Sequence, residues 1–251
     1  MPVYNSQSPA VKTMKGLHLF HFVLSNCSQR VRLALAEKGL PWTSHHLDLS
    51  RNEHITAEYQ AINPKGVVPT LVHDGVVVTE SNDILWYLED KYPAPGLKPV
   101  SHDELNVMKA CIDMADESQG AIKIITFDRL FRHFIKLEKS DIEFLEIHRH
   151  NRDVVNFMRD FYEDGDSWAG QVEVAEQLLA GVLDRLDAVL ASGEWLSGGK
   201  YGLADVSWVV NIFRLKKANY PLGNFANINL WFDRAASREA FRLAVLEYQP
   251  G

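Results

Sequence analysis

The chain of 251 residues is poor in cysteine, with Cys27 and Cys111 alone. Two cysteines far apart build neither a disulfide framework nor a Cys-x2-Cys zinc site, and they suit a reducing compartment. No apolar run approaches the roughly 18 residues of a membrane-spanning helix. The first residues lack the apolar stretch of a signal peptide and the arginines of a transit peptide, so residues 1–16 read as a flexible leader. Basic runs are missing as well: 26 Lys and Arg against 33 Asp and Glu leave a net charge of −7. That is no footprint for a nucleic acid, which is bound through a basic face that releases counterions. No glycine-rich phosphate loop occurs. With 46% hydrophobic and 24% charged residues, the remaining expectation is a globular cytoplasmic protein of one or two domains with a sizeable core and no metal site.

Residues 17–22 alternate as a strand does, and Cys27 to Lys38 is rich in helix formers, with Ser and Asn before it and Gly39 and Pro41 after it. These are start and stop signals for a helix. A second strand at 42–47 and a short helix near 55–61 follow. Val67 to Thr79 holds two β-branched runs split by Asp74-Gly75, a strong hairpin signal, and Glu80-Ser81-Asn82-Asp83 opens a helix that ends near Pro93. Pro69 at the start of a strand needs explaining, because proline removes a ladder donor and is often cis in such places. Three prolines within 93–99 mark the best domain boundary. Beyond it the spacing is helical around 103–135, 139–163, 171–191 and 203–218, and the charged stretch near 138–164 reads as an appended helical insertion.

A strand, a Ser25-Asn26-Cys27-Ser28 loop and a helix place Ser25 and Cys27 at the positive end of a helix dipole, where thiolates and other anions are stabilised. Taken singly, Ser25 or Ser28 reads as a helix cap and Cys27 as a small buried hydrophobe. Ser81 alone reads as a cap too, and His45-His46 and His148-Arg149-His150 as surface histidines.

Taken together, three motifs resemble those of the soluble glutathione transferases: Ser25 to Leu33, similar to the zeta-class Ser-Ser-Cys start; Asn63-Pro64-x-Gly66-x-Val68-Pro69-x-Leu71; and Glu80-Ser81. The likeness extends over nearly the whole chain. It implies an α/β thioredoxin-like N-terminal domain at 17–93, a linker at 94–100, and an all-α C-terminal bundle at 101–251 that supplies a second-substrate pocket. It implies glutathione as co-substrate, with the Ser25 hydroxyl as donor to its sulfur and Cys27 and Asn26 as secondary candidates. Pro69 is then a cis-proline that turns Val68 toward the tripeptide backbone. Glu80 and Ser81 hold the γ-glutamyl end, and His54 and Lys65 neutralise the glycyl carboxylate. Phe22, Leu24, Met114 and Ser118 are the residues this likeness assigns to the second-substrate pocket.

The departures narrow the reading. No tyrosine ends the first strand, and the cysteine of the omega class stands two positions later here, so a serine-type enzyme is expected. Asn26 replaces the second zeta-class serine, which weighs against isomerisation. Tyr201-Gly202-Leu203-Ala204-Asp205 matches the family's buried capping box with Gly in place of Ser or Thr, and Asp205 is then a folding residue. The insertion near 138–164 resembles that of larger bacterial transferases that cleave β-aryl ethers of lignin fragments. The favoured expectation is therefore attack of a glutathione thiolate on a hydrophobic aromatic electrophile, whether as ether cleavage or detoxification, by a homodimer or heterodimer. A transferase-like binding module without turnover and a zeta-like isomerase are the alternatives.

Overall fold

A computed structural model describes residues 3–4, 6 and 8–248, with the backbone alone at Val3 and Tyr4. Part of the expected leader (Met1, Pro2, Asn5 and Gln7) and the last three residues of the expected bundle lie outside the described residues.

The alternating run at 17–22 forms strand β2, Leu17–His21, and the helix after it is α1, Asn26–Glu37. Strands β1 (Val3–Tyr4), β3 (Thr43–His46), β4 (Thr70–His73) and β5 (Val76–Thr79) complete one mixed sheet in the order β1-β5-β4-β2-β3. Only β2 and β3 run parallel, joined by α1. Asp74 and Gly75 both have positive φ, as a two-residue type I′ hairpin requires. Helix α2 (Ala57–Ile62) precedes β4, and α3 (Ser81–Lys91) follows β5.

The leader is more ordered than expected. Val3 lies opposite Val78, and a 3-10 turn at Pro9–Thr13 buries Val11 against Phe20, Val72 and Val77. The physical reason is the edge of β5, whose unpaired backbone groups accept a short extended segment.

Every other long element is helical: α4 (His102–Arg129), α5 (Lys139–His148), α6 (Arg152–Glu163), α7 (Asp166–Leu190), α8 (Leu203–Lys217), α9 (Ala226–Ala236) and α10 (Glu239–Phe241), which runs into a π-helical turn at Arg242–Leu246. The fold is thus a thioredoxin-like α/β part followed by an all-α part. The main core joins them, with Leu33 and Leu85 in the same cluster as Ile122, Leu183 and Trp208.

The stretch near 138–164 is not merely appended. It is a pair of helices broken at Arg149–Asn151, and its apolar side packs Leu145 and Val155 on Ile55, a residue of the α/β part. The apolar minority in a charged sequence is what docks it.

Asp205 is fully buried and takes three N–H donors: Gly202 at 2.9 Å, Leu196 at 2.8 Å and the Trp231 indole at 2.8 Å. Burial raises its carboxyl above the ordinary range. A Cβ on Gly202 would stand 2.5 Å from Leu97 O and 2.6 Å from Ser197 Cβ, so the usual Ser or Thr has no room. Ser197 Oγ instead accepts the Ala204 N–H at 3.2 Å, supplying the capping hydroxyl from another loop.

Candidate functional site

The loop between β2 and α1 is held by its carbonyls. Arg32 donates to Phe22 O at 3.3 Å and to Val23 O at 3.1 Å, and Arg214 of α8 donates to Leu24 O. Three successive carbonyls are thereby turned onto guanidinium groups. The loop then enters α1 with Ser25 as N-cap, its Oγ accepting the Ser28 N–H at 3.2 Å. A hydroxyl carries one proton and two lone pairs, so capping occupies a lone pair and leaves the Ser25 O–H proton free to donate. Capping and a catalytic role are compatible at this residue.

A cavity of about 310 Å³ opens beside this loop, between α1, the Val67–Pro69 turn, the start of α3 and one face of α4. The Val68–Pro69 bond is cis, and Val68 precedes β4, with no hydrogen bond to its N–H or C=O among the described residues. Glu80 and Ser81 line the cavity. Glu80 adopts φ 64° just before α3, and Ser81 is its first residue. Of the loop residues it is Cys27 that lines the wall; Ser25 and Asn26 stand beside it without lining it. Asn26 donates its amide to Asn211 at 2.9 Å.

Sequence reasoning missed the charges behind this wall. Arg30, fully buried in α1, donates to Ser81 Oγ at 2.7 Å and to Asn211 Oδ1 at 3.1 Å. Asp116 and Gln119 of α4 line the opposite side. Asn82 donates to Asp116 at 2.7 Å, and partial desolvation raises the Asp116 carboxyl above its usual range. Arg30, Lys123 and Arg214, from three different helices, all lie within electrostatic reach of Cys27. The corner around Cys27 is therefore cationic. The one signal for Arg30 was its pairing with Arg32 on either side of Val31, just before the apolar run Leu33 to Ala36.

The residues expected to meet a glycyl carboxylate, His54 and Lys65, are engaged elsewhere. His54 is buried, and Arg149, from the turn between α5 and α6, donates to its Nε2 at 2.7 Å and to Gly66 O at 2.9 Å. A guanidinium has only donors, so Nε2 accepts and the proton sits on Nδ1. Burial, then the Arg149 charge, pushes the His54 pKa down to about 4. The imidazole is neutral, and the cation at this place is Arg149. Lys65 is exposed and pairs with Glu80 at 2.6 Å.

The expected second-substrate residues are not brought together. Met114 and Ser118 point into the helical core, where Ser118 Oγ donates to Met114 O at 2.8 Å. Phe22 rests against His46, and Leu24 is half exposed. Asp116, Gln119, Lys123 and Phe127 follow one another along α4 at about one residue per turn, and the first two line the cavity. Past the cavity this stripe meets an aromatic cluster partly supplied by α6: Phe157 lies 4.9 Å from Phe127, and Phe161 lies 5.1 Å from Trp168.

Comparison with known proteins adds the following. A family model described as the glutathione S-transferase N-terminal domain matches residues 24–91, and one for the C-terminal domain of the same proteins matches 168–234. Maleylacetoacetate isomerase of Pseudomonas aeruginosa is 30% identical over 245 residues, covering 93% of this chain and 98% of that protein. Glutathione S-transferase 1 of Dianthus caryophyllus is 45% identical over 83 residues, 33% of this chain and 38% of the relative's length. Among solved structures, beta-etherase LigF from Sphingobium sp. strain SYK-6 superposes with a TM-score of 0.82 at 24% identity, covering 92% of this chain and 99% of that one.

Proposed function

Since the chain belongs to the glutathione S-transferase family, whose co-substrate is glutathione, we propose that it activates the glutathione thiol at Ser25 and directs the thiolate at an aromatic electrophile, with cleavage of β-aryl ethers of lignin-derived dimers as the specific reaction. The aromatic group of Phe127, Phe157 and Trp168 beside a cationic thiol corner carries this reading. Likeness of fold to a beta-etherase accords with it.

In this reading the division of labour follows the chain: 17–93 binds glutathione, 94–100 links, and 101–251 supplies the second pocket. Val68, beside cis-Pro69, offers the tripeptide backbone its N–H and C=O. Glu80 takes the γ-glutamyl ammonium, and Ser81, backed by Arg30, takes its carboxylate. Arg149 supplies the positive charge for the glycyl end. The Ser25 hydroxyl and the α1 N-terminus favour the thiolate. The thiolate attacks the carbon bearing the aryloxy group; a C–S bond forms, the C–O bond breaks, and its electron pair leaves on the aryloxide oxygen. The protein is asked for binding, thiolate activation and leaving-group stabilisation. The reduced cytoplasm suits the free thiols Cys27 and Cys111, and assembly as a homodimer or heterodimer belongs to the same reading.

A panel of glutathione with a chloronitrobenzene, a maleyl substrate and a β-aryl ether dimer tests it. The expected result is glutathione-dependent release of a phenol from the ether. Isomerisation of the maleyl substrate alone would favour the second reading, a zeta-like isomerase, which the Ser25-x-Cys27 start and the near full-length likeness to an isomerase support. Absence of glutathione binding would leave a binding module without turnover.

A further inference from the structure

Lys123 shares a face of α4 with Asp116, Gln119 and Phe127, and the proposed steps leave it without a task. Its ammonium lies 3.6 Å from the Phe157 ring centroid and 6.0 Å from that of Phe127. It makes no hydrogen bond and no ion pair among the described residues. Its charged or ionisable neighbours within electrostatic reach are Arg149 and Cys27, and neither is a carboxylate. A half-buried ammonium is costly unless something compensates it, and the two rings offer only a cation–π contact, a modest compensation. Burial, then Arg149, pushes its pKa down to about 8. A lysine kept in an aromatic recess without a counter-ion has the chemistry of a site for an anion that is absent in the resting protein. Gln119 and Asp116, one and two turns back on the same face, line the cavity on the side given above to the γ-glutamyl end. Lys123 therefore lies further along the same cleft, among the rings given above to the second substrate.

We infer that Lys123 is the residue that receives the negative charge of the second substrate, pairing with the aryloxide oxygen as the carbon–oxygen bond breaks. This rests on the proposed attack of a glutathione thiolate on an aromatic electrophile. As the C–S bond forms, the departing electron pair collects on oxygen beside the Lys123 ammonium. One ammonium proton passes to that oxygen, the phenol leaves neutral, and the amine takes a proton back from solvent. A phenol of ordinary pKa near 10 holds a proton more tightly than this lysine does, so the transfer runs downhill. In a nitroarene substitution the same ammonium faces the charge that develops on the ring.

The test separates the residue from the reaction by measuring binding first. The protein is loaded with S-methylglutathione, which cannot attack, and titrated with 4-nitrophenolate and with its neutral counterpart 4-nitroanisole. The wild type is expected to prefer the phenolate by roughly tenfold or more, the scale of one charge-assisted hydrogen bond. With the protein saturated by S-methylglutathione, Lys123→Met should abolish the preference, and Lys123→Arg should keep most of it. Thermal unfolding of Lys123→Met should occur no lower than in the wild type, since a purely structural lysine would lower it. No phenolate preference in the wild type, or a preference that survives in Lys123→Met, would overturn the assignment. Turnover of two ethers, one releasing 4-nitrophenolate and one a methoxyphenol, then tests the reaction: Lys123→Met should slow the poorer leaving group far more. If neither ether is cleaved while the phenolate preference depends on Lys123, ether cleavage fails and the anion site stands.

Discussion

Gly202 shows how one residue can run against statistics for a reason of space. Helix N-caps prefer Ser, Thr, Asp or Asn, yet Leu97 O and Ser197 leave no volume for a Cβ. Gly202→Ser should therefore destabilise the protein by about 1–3 kcal/mol, the range for overpacking, as read by urea denaturation; a gain in stability would refute the steric account. Asp205 was legible as a folding residue because the capping-box spacing is local. The role of Ser197 was not, since the chain must fold before its hydroxyl can reach Ala204. His54 teaches the same lesson. It stood out as a candidate anion contact, but its protonation state is set by burial first and then by Arg149, which is 95 positions away. His54 and His21 are both buried neutral, pushed down to about 4 and about 3, by burial first. Their pKa values in the unfolded chain are near 6.5, so between there and the folded values the unfolded state binds more protons and stability falls as pH falls. Unfolding midpoints should drop from pH 6.5 toward pH 4, and His54→Gln should flatten part of that slope.

At the scale of elements, the short signals were legible: the β2–α1–β3 unit, the Asp-Gly hairpin and the start of α3 all carry their instructions within a few residues. Helix α4 was only half legible. It is buried on two sides, so periodicity located the helix but could not say which face meets the cleft, and Met114 and Ser118 fell on the core side. The α5–α6 pair was legible as a charged helical stretch, whereas its docking depends on Leu145, Val155 and Arg149 meeting Ile55, His54 and Gly66. Arg149→Met should leave a buried imidazole nitrogen and a carbonyl without their donor, at about 1–3 kcal/mol. Amide exchange across 139–163 should accelerate, and affinity for glutathione should fall more than affinity for γ-glutamylcysteine, which lacks the glycyl carboxylate. Equal losses for both would remove Arg149 from the glycyl end.

For the whole molecule, a net charge of −7 coexists with a local group of cations, Arg30, Lys123 and Arg214, around Cys27. Local cations inside low-dielectric walls, not net charge, determine which anion is held. The α/β part brings Ser25, Val68 and Ser81 to one edge, the helical part faces it with α4 and α8, and Arg32 ties the two by donating to Ala244 O at 3.0 Å. In the proposed function this arrangement holds glutathione as thiolate through the Ser25 hydroxyl. Ultraviolet difference titration of the bound thiol tests it most directly. Ser25→Gly is the suitable variant, because glycine at an N-cap costs only a few tenths of a kcal/mol relative to serine. The account requires a bound thiol that ionises clearly below the ordinary value near 8.5 in the wild type and returns toward it in Ser25→Gly; a bound thiol that titrates at the same pH in both proteins would contradict it.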